Sequence, residues 1–157
     1  MKKALFLFTA IILLFISFNV ALAEKDLFEG MLTYNESQYY VGFDMQPGEY
    51  VLLATGNSQA YFSISSDANS NRIICNDNFE INRIITVYTN DYVTLKRCIA
   101  IKAEDFYQQY TIKTDKPGIM LRVGYDIMPG TYKIQQVSTT SSSAYYCIYT
   151  SHNFQGI

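Results

Sequence analysis

From Glu24 onward, apolar side chains fall on alternate positions, and clusters of Gly, Pro, Asn, Asp and Ser interrupt them about every eight to twelve residues. That period of two is the pattern of half-buried strands, and regular punctuation of this kind marks an antiparallel sandwich or barrel. Residues 38–41 read as a strand, Pro47-Gly48 as a turn, 49–54 and 60–65 as further strands, and Gly56-Asn57-Ser58 as the loop between them. Pro presets φ and Gly accepts positive φ, which suits both to the turn. Residues 67–71 form a polar loop, 72–75 a short strand, and Asn76-Asp77-Asn78 another turn. Residues 82–88 and 91–101 then make a hairpin across Thr89-Asn90, with Val93, Leu95, Ile99 and Ile101 on one face and Arg97 where that face meets solvent. Segment 102–113 allows one or two helical turns over 104–109 or an extended link, and Lys116-Pro117-Gly118 is a turn.

One phrase occurs twice. Val41-Gly42-Phe43-Asp44-Met45-Gln46-Pro47-Gly48-Glu49-Tyr50 returns as Val123-Gly124-Tyr125-Asp126-Ile127-Met128-Pro129-Gly130-Thr131-Tyr132, with six identical positions. This is the signature of a tandem duplication. Comparing the halves assigns faces: Tyr50 and Leu52 align with Tyr132 and Ile134, whereas the opposite parity carries Lys133 and Gln135. Tyr50, Leu52, Tyr132 and Ile134 are therefore expected to point inward, since a one-residue slip would bury charge. By the same test Phe62, Ile64, Tyr146 and Ile148 are core, while Tyr61, Ser63, Ser65, Tyr145, Cys147 and Tyr149 face outward. The second copy aligns only as far as Ile157, opposite Ile73, and so lacks a counterpart to 82–101. A half sandwich leaves an apolar face and strand edges open. It is completed by docking on the first unit as one continuous sheet, or by strands from another chain in self-association, or it is a truncated relic of reduced function.

The doubled phrase, with Asn76-Asp77-Asn78-Phe79 downstream of its first copy, resembles a secreted tandem-repeat module of uncharacterised proteins of Gram-positive bacteria. The resemblance spans 39–101 and 122–157. It implies a secreted module and carries no activity, ligand or catalytic residue with it.

The first 23 residues stand apart from the strand pattern. Lys2 and Lys3 precede an apolar run over 4–20, and Ala21-Leu22-Ala23 supplies the small-x-small ending cut by signal peptidase. The reading is a signal peptide over 1–23 with export to the extracellular space, an uncleaved anchor being the competing one. The paired lysines resemble a bacterial leader. The organisation that follows is a first β repeat over 24–101, a linker over 102–118 and a second, truncated repeat over 119–157. Of 12 basic side chains, loss of Lys2 and Lys3 leaves ten against 14 acidic ones, a net charge near −4. That balance argues against nucleic acid or an anionic membrane surface as partner.

Candidate chemistry is sparse. Asp44, Pro47 and Gly48, with Asp126, Pro129 and Gly130, are assigned to turn structure, because an Asp there accepts backbone N–H groups. Asp67-x-Asn69-x-Asn71 has calcium-loop spacing, but Arg72 and Asn78 stand where the loop needs Gly and a bidentate Glu, so no metal and no cofactor is assigned. His152 has no triad pattern around it. Cys75 and Cys98 are the pair suited to a disulfide, worth about 3 kcal/mol by loop entropy, or all three cysteines stay thiols. Tyrosine is abundant, with 14 copies and no tryptophan. Tyr61, Tyr145 and Tyr149 make the candidate binding stripe, since aromatic faces stack on sugars and peptides; the competing role for these rings is packing between repeats. The function expected is a secreted, non-catalytic β-sandwich (jelly-roll-like) module binding a cell-envelope polysaccharide or protein. The alternatives are a carboxylate hydrolase using Asp67 and Asp77, or an assembly subunit.

Overall fold

A computed structural model describes residues 28–113, 118–135 and 146–149. The chain divides at Met31/Leu32, and all described strands and helices lie on the Leu32 side. Strands β1 (Thr33–Tyr34), β2 (Ser37–Tyr40), β3 (Gly48–Ala54), β4 (Ala60–Ser65), β5 (Ile73–Phe79), β6 (Asn82–Val87), β7 (Tyr92–Lys96) and β8 (Cys98–Lys102) precede helix α1 (Ala103–Gln109). They form two four-stranded antiparallel sheets, β1-β8-β3-β6 and β2-β7-β4-β5. The fold is an all-β sandwich.

Alternation explains the core. Tyr50 and Leu52 from β3, with Phe62 and Ile64 from β4, are sealed between the sheets, and Ile85, Val87, Val93 and Leu95 close around them. The parity assigned to β3 and β4 therefore holds for their large apolar residues. Val51 points the other way yet is equally buried. It lies opposite Ile84 on β6 and Ile101 on β8, and α1 packs over β3 and β8 to cover this outer layer. The helix buries Ala103 and Phe106, and its first turn carries Glu104 and Asp105, a favourable sign of charge for a helix start.

Several sequence expectations fail for identifiable reasons. Segments 82–88 and 91–101 do not pair as a hairpin, because β6 and β7 belong to opposite sheets. The turn between them bonds to Val41 instead: Asn90 N–H donates to the Val41 carbonyl at 3.0 Å, and Val41 N–H to that of Asp91 at 2.9 Å. The 91–101 segment is also two strands. Arg97 adopts φ +53° and shifts the parity, so Cys98 and Ala100 join Val93 and Leu95 in the core while Ile101 faces the helix side. Asn76-Asp77-Asn78 is not a turn but the middle of β5, opposite Ser63, Phe62 and Tyr61. An edge strand tolerates that polar run, since Asn76 and Asn78 stay in solvent. Ser63 and Ser65 are buried instead of exposed. The loop over 66–72 reaches back across their face of the sheet, where Gln38 Nε2 donates to the Ala68 carbonyl at 2.9 Å and Ser65 Oγ to that of Asp67 at 2.9 Å.

The two phrases adopt the same turn. Gly42 N–H donates to the Met45 carbonyl at 2.7 Å, and Gly124 N–H to that of Ile127 at 2.7 Å. Asp44 Oδ2 accepts from Tyr40 N–H at 3.1 Å, and Asp126 Oδ2 from Arg122 N–H at 2.9 Å. Beyond the turn they diverge. Gly48 takes φ +140° and leads into β3, whereas residues 131–135 form no strand. Tyr132, Ile134, Tyr146 and Ile148, expected in a core, are 53, 64, 66 and 70 % exposed. No described strand pairs with them, so the second phrase does not extend a sheet of the first unit.

Candidate functional site

The outward face of the β4 sheet holds one of the three expected binding tyrosines. Tyr61 is half-buried there, its hydroxyl accepting from Asn76 Nδ2 at 3.4 Å and Lys96 Nζ lying 5.8 Å from its ring centre. Tyr149 is half-buried, and Tyr145 lies outside the described residues, as do His152 and the expected signal segment. The 66–72 loop covers the Ser65 end of this face, which leaves Tyr61, Lys96, Asn76 and Asn78 as its open end.

A recess forms where the second phrase lies against α1. The start of β3 supplies Gly48 and Glu49, the end of β8 Lys102, successive turns of α1 Glu104, Tyr107 and Gln108, the second phrase Tyr125, and the residue just before that phrase Arg122; the cleft measures 540 Å³. Arg122 organises it. Its guanidinium pairs with Glu49 and sits 4.6 Å from the Tyr125 ring centre and 5.4 Å from that of Tyr107. The two tyrosine rings lie 4.8 Å apart at 46°. Asp126 fixes the arrangement from behind, accepting from Tyr107 O–H at 3.0 Å and from Ile112 N–H at 2.6 Å in addition to Arg122 N–H. Burial, and after it the Asp126 carboxylate, hold the Tyr107 hydroxyl well above the usual phenol range, so it remains a proton donor. On the first-unit side, Lys102 Nζ donates to the Pro47 carbonyl at 2.9 Å and lies 5.1 Å from the Tyr50 ring centre. The lining thus balances Glu49 and Glu104 against Lys102 and Arg122, beside a Tyr125 ring that is 52 % exposed.

The carboxylates weighed for hydrolysis are engaged elsewhere. Asp67 accepts from Asn69 and Asn71 N–H through Oδ1 and from Arg72 N–H through Oδ2 at 2.7 Å. These bonds, that from Asn71 foremost, hold its carboxyl below the usual range. Asp77 pairs with Arg83 Nε at 2.6 Å. Among the described residues no three His, Cys, Asp or Glu side chains cluster as metal ligands. Nor is any described helix long and apolar enough to cross a membrane. Cys75, Cys98 and Cys147 are all free thiols, so the Cys75–Cys98 bridge is not formed. Burial instead pushes both the Cys75 and the Cys98 thiol up to about 11.

The cleft residues escaped the sequence reading because Glu104, Tyr107 and Gln108 sit in a stretch that reads equally as linker. The signal that did exist lies inside the phrase. Its third position is aromatic in both copies, and Phe43 is 86 % exposed, so this turn presents an aromatic ring outward instead of burying it. Compared with known proteins, the chain matches no family model, no curated protein and no solved structure.

Proposed function

We propose that this protein is an exported, non-catalytic β-sandwich module that binds a neutral saccharide of the cell envelope in the cleft between α1 and the second phrase. One observation carries the reading: a half-exposed Tyr125 ring stands beside Arg122, Glu104 and Gln108 in a recess with equal numbers of positive and negative groups. A sugar ring is apolar on its C–H faces and rich in hydroxyls at its rim, so it suits one aromatic wall ringed by acceptors and donors. A polyanion would meet the two carboxylates. The volume of 540 Å³ falls within the range of about 300–1,000 Å³ typical of small-ligand sites.

Binding is favoured over hydrolysis by the state of the acids. A glycosidase needs two carboxyl groups in separate protonation roles flanking one bond. Here Glu49 is tied to Arg122, and Asp67 and Asp77 serve a turn and an ion pair. Export rests on the 1–23 segment of the sequence, and the likeness to secreted Gram-positive modules is consistent with it.

Calorimetric titration of the mature protein with chitotriose and with maltotriose tests the reading. At least one trisaccharide is expected to bind saturably, and Tyr125→Ala to weaken it at least tenfold while the sandwich still melts cooperatively. No heat from either sugar, or binding indifferent to Tyr125→Ala, would sink the proposal.

A further inference from the structure

Asn82 is fully buried in β6, while Arg83 and Thr86 on the same strand keep contact with water. A carboxamide taken out of water needs partners for its N–H groups and its oxygen. Met120 supplies both kinds: its carbonyl accepts from Asn82 Nδ2 at 2.7 Å, and its N–H donates to Asn82 Oδ1 at 3.1 Å. The next residues of β6 add to the grip. Arg83 Nη1 donates to the Gly118 carbonyl at 2.9 Å, and Ile84 N–H to the Met120 sulfur at 3.3 Å. None of these groups lines the cleft. Asn82 is in register with Leu53, four residues or about 13 Å along β3 from Glu49, where Arg122 is paired.

The two walls of the cleft are held differently. Glu49, Lys102 and Tyr107 stand on β3, β8 and α1, next to the buried Tyr50, Ile101 and Phe106. Arg122 and Tyr125 belong to 118–127, where every residue is at least partly exposed and the fastenings to the sandwich and α1 are hydrogen bonds and an ion pair. A segment that buries little apolar surface opens more readily than the core beside it. Its opening would carry Arg122 and Tyr125 away from Glu49 and Tyr107.

We infer that Asn82 is a positioning residue for ligand binding: by gripping Met120 it holds 118–127 as a wall that opens and shuts, and so sets the fraction of molecules with a formed cleft. Ligand linkage rests on the saccharide reading above; the opening of the wall does not. A ligand that touches both walls binds only the shut form, so its observed affinity scales with the fraction shut, and binding in turn favours that form.

Two variants of the mature protein test this from opposite sides of the grip. Asn82→Ala removes the amide, and Met120→Pro removes the N–H that Asn82 accepts while leaving every residue of the sandwich in place. The reporter is the Ile112 amide, bonded to Asp126 Oδ1 at the far end of the wall. In both variants its hydrogen exchange is expected to quicken roughly tenfold or more, while amides of β3 and β4 keep their protection. A trisaccharide that binds the wild-type chain should bind each variant about threefold more weakly or worse. Saturating sugar should return Ile112 to its wild-type rate, a recovery that a merely distorted fold would not show. Should Asn82→Ala disturb β3 and β4 as well, Met120→Pro decides. Unchanged exchange at Ile112 in Met120→Pro overturns the inference, as does faster exchange that leaves the affinity unaltered. If neither chitotriose nor maltotriose binds the wild-type chain, the saccharide reading fails, and the exchange of Ile112 alone upholds or overturns the wall.

Discussion

Asp44 and Asp126 show how one residue type, at one place in a phrase, can serve two purposes. Each accepts the backbone N–H four residues earlier and so closes its turn. Asp126 alone also takes Tyr107 O–H and Ile112 N–H, and through them holds the cleft. Gly48 shows the opposite, a residue chosen for what it lacks. Its φ of +140° is open to glycine, and a Cβ there would stand 2.5 Å from Lys102 Nζ, which caps the Pro47 carbonyl. Gly48→Ala should cost about 1–3 kcal/mol through the backbone conformation. Urea denaturation checks this, and because Lys102 can swing away, most of the loss should persist in a Lys102→Ala background. Full recovery there would place the cost in the contact instead of the backbone.

At the scale of elements, the telling features are the places where a strand pattern continues but the strand does not. Residues 91–101 read as one strand; the positive φ of Arg97 splits them between sheets, with Arg97 N–H bonded to Glu36 Oε2 at 3.0 Å and Arg97 Nε to the Gln59 carbonyl at 2.5 Å. α1 and the second phrase form the other such unit. The segment leading into the phrase is pinned by Asn82, which both donates to the Met120 carbonyl at 2.7 Å and accepts from Met120 N–H at 3.1 Å, and the phrase itself by the Asp126 bonds behind Tyr107. Asp126→Ala removes three acceptor contacts and should loosen this docking by about 2–3 kcal/mol, the scale of hydrogen bonds to a charged group. Amide exchange should quicken at Ile112 and Arg122 while β3 and β4 keep their protection. Equal acceleration throughout the sandwich would mean that the phrase is not a separable layer.

Across the whole molecule, burial sets the response to alkali. The Cys75 and Cys98 thiols, ordinarily near 9, are pushed up to about 11, and burial raises the Tyr50 and Tyr107 hydroxyls as well. The folded state therefore holds these protons more tightly than the unfolded chain does. The contribution of the two thiols is fully present below pH 9 and is lost as pH climbs through about 11. For Cys98, sealed in the core, the loss by pH 11 is on the order of 2 kcal/mol. Melting temperature should fall steeply between pH 9 and 11, and less steeply in Cys98→Ala. An identical slope in that variant would show that Cys98 does not titrate with unfolding.

Much of this was legible beforehand, and the boundary is physical. Period-two alternation by itself dictated an antiparallel sandwich and the inward parity of Tyr50, Leu52, Phe62 and Ile64, because a face is a local property of a pleated chain. The phrase repeats one turn in both copies, but that turn closes from Gly42 to Met45 and from Gly124 to Ile127, ahead of the Pro-Gly pair to which the sequence pattern assigns it, and Gly48 already opens β3. Which strand joins which sheet was decided only in three dimensions, by long-range bonds such as that of Asn90 to Val41. So was the burial of Val51, which needs a helix 50 residues away to cover it. The cleft belongs to the same class: Glu49, Tyr107 and Arg122 are distant in sequence, and packing of α1 and the second phrase against the sandwich brings them together. Local pattern fixes which way a side chain points; what it meets there depends on the rest of the fold.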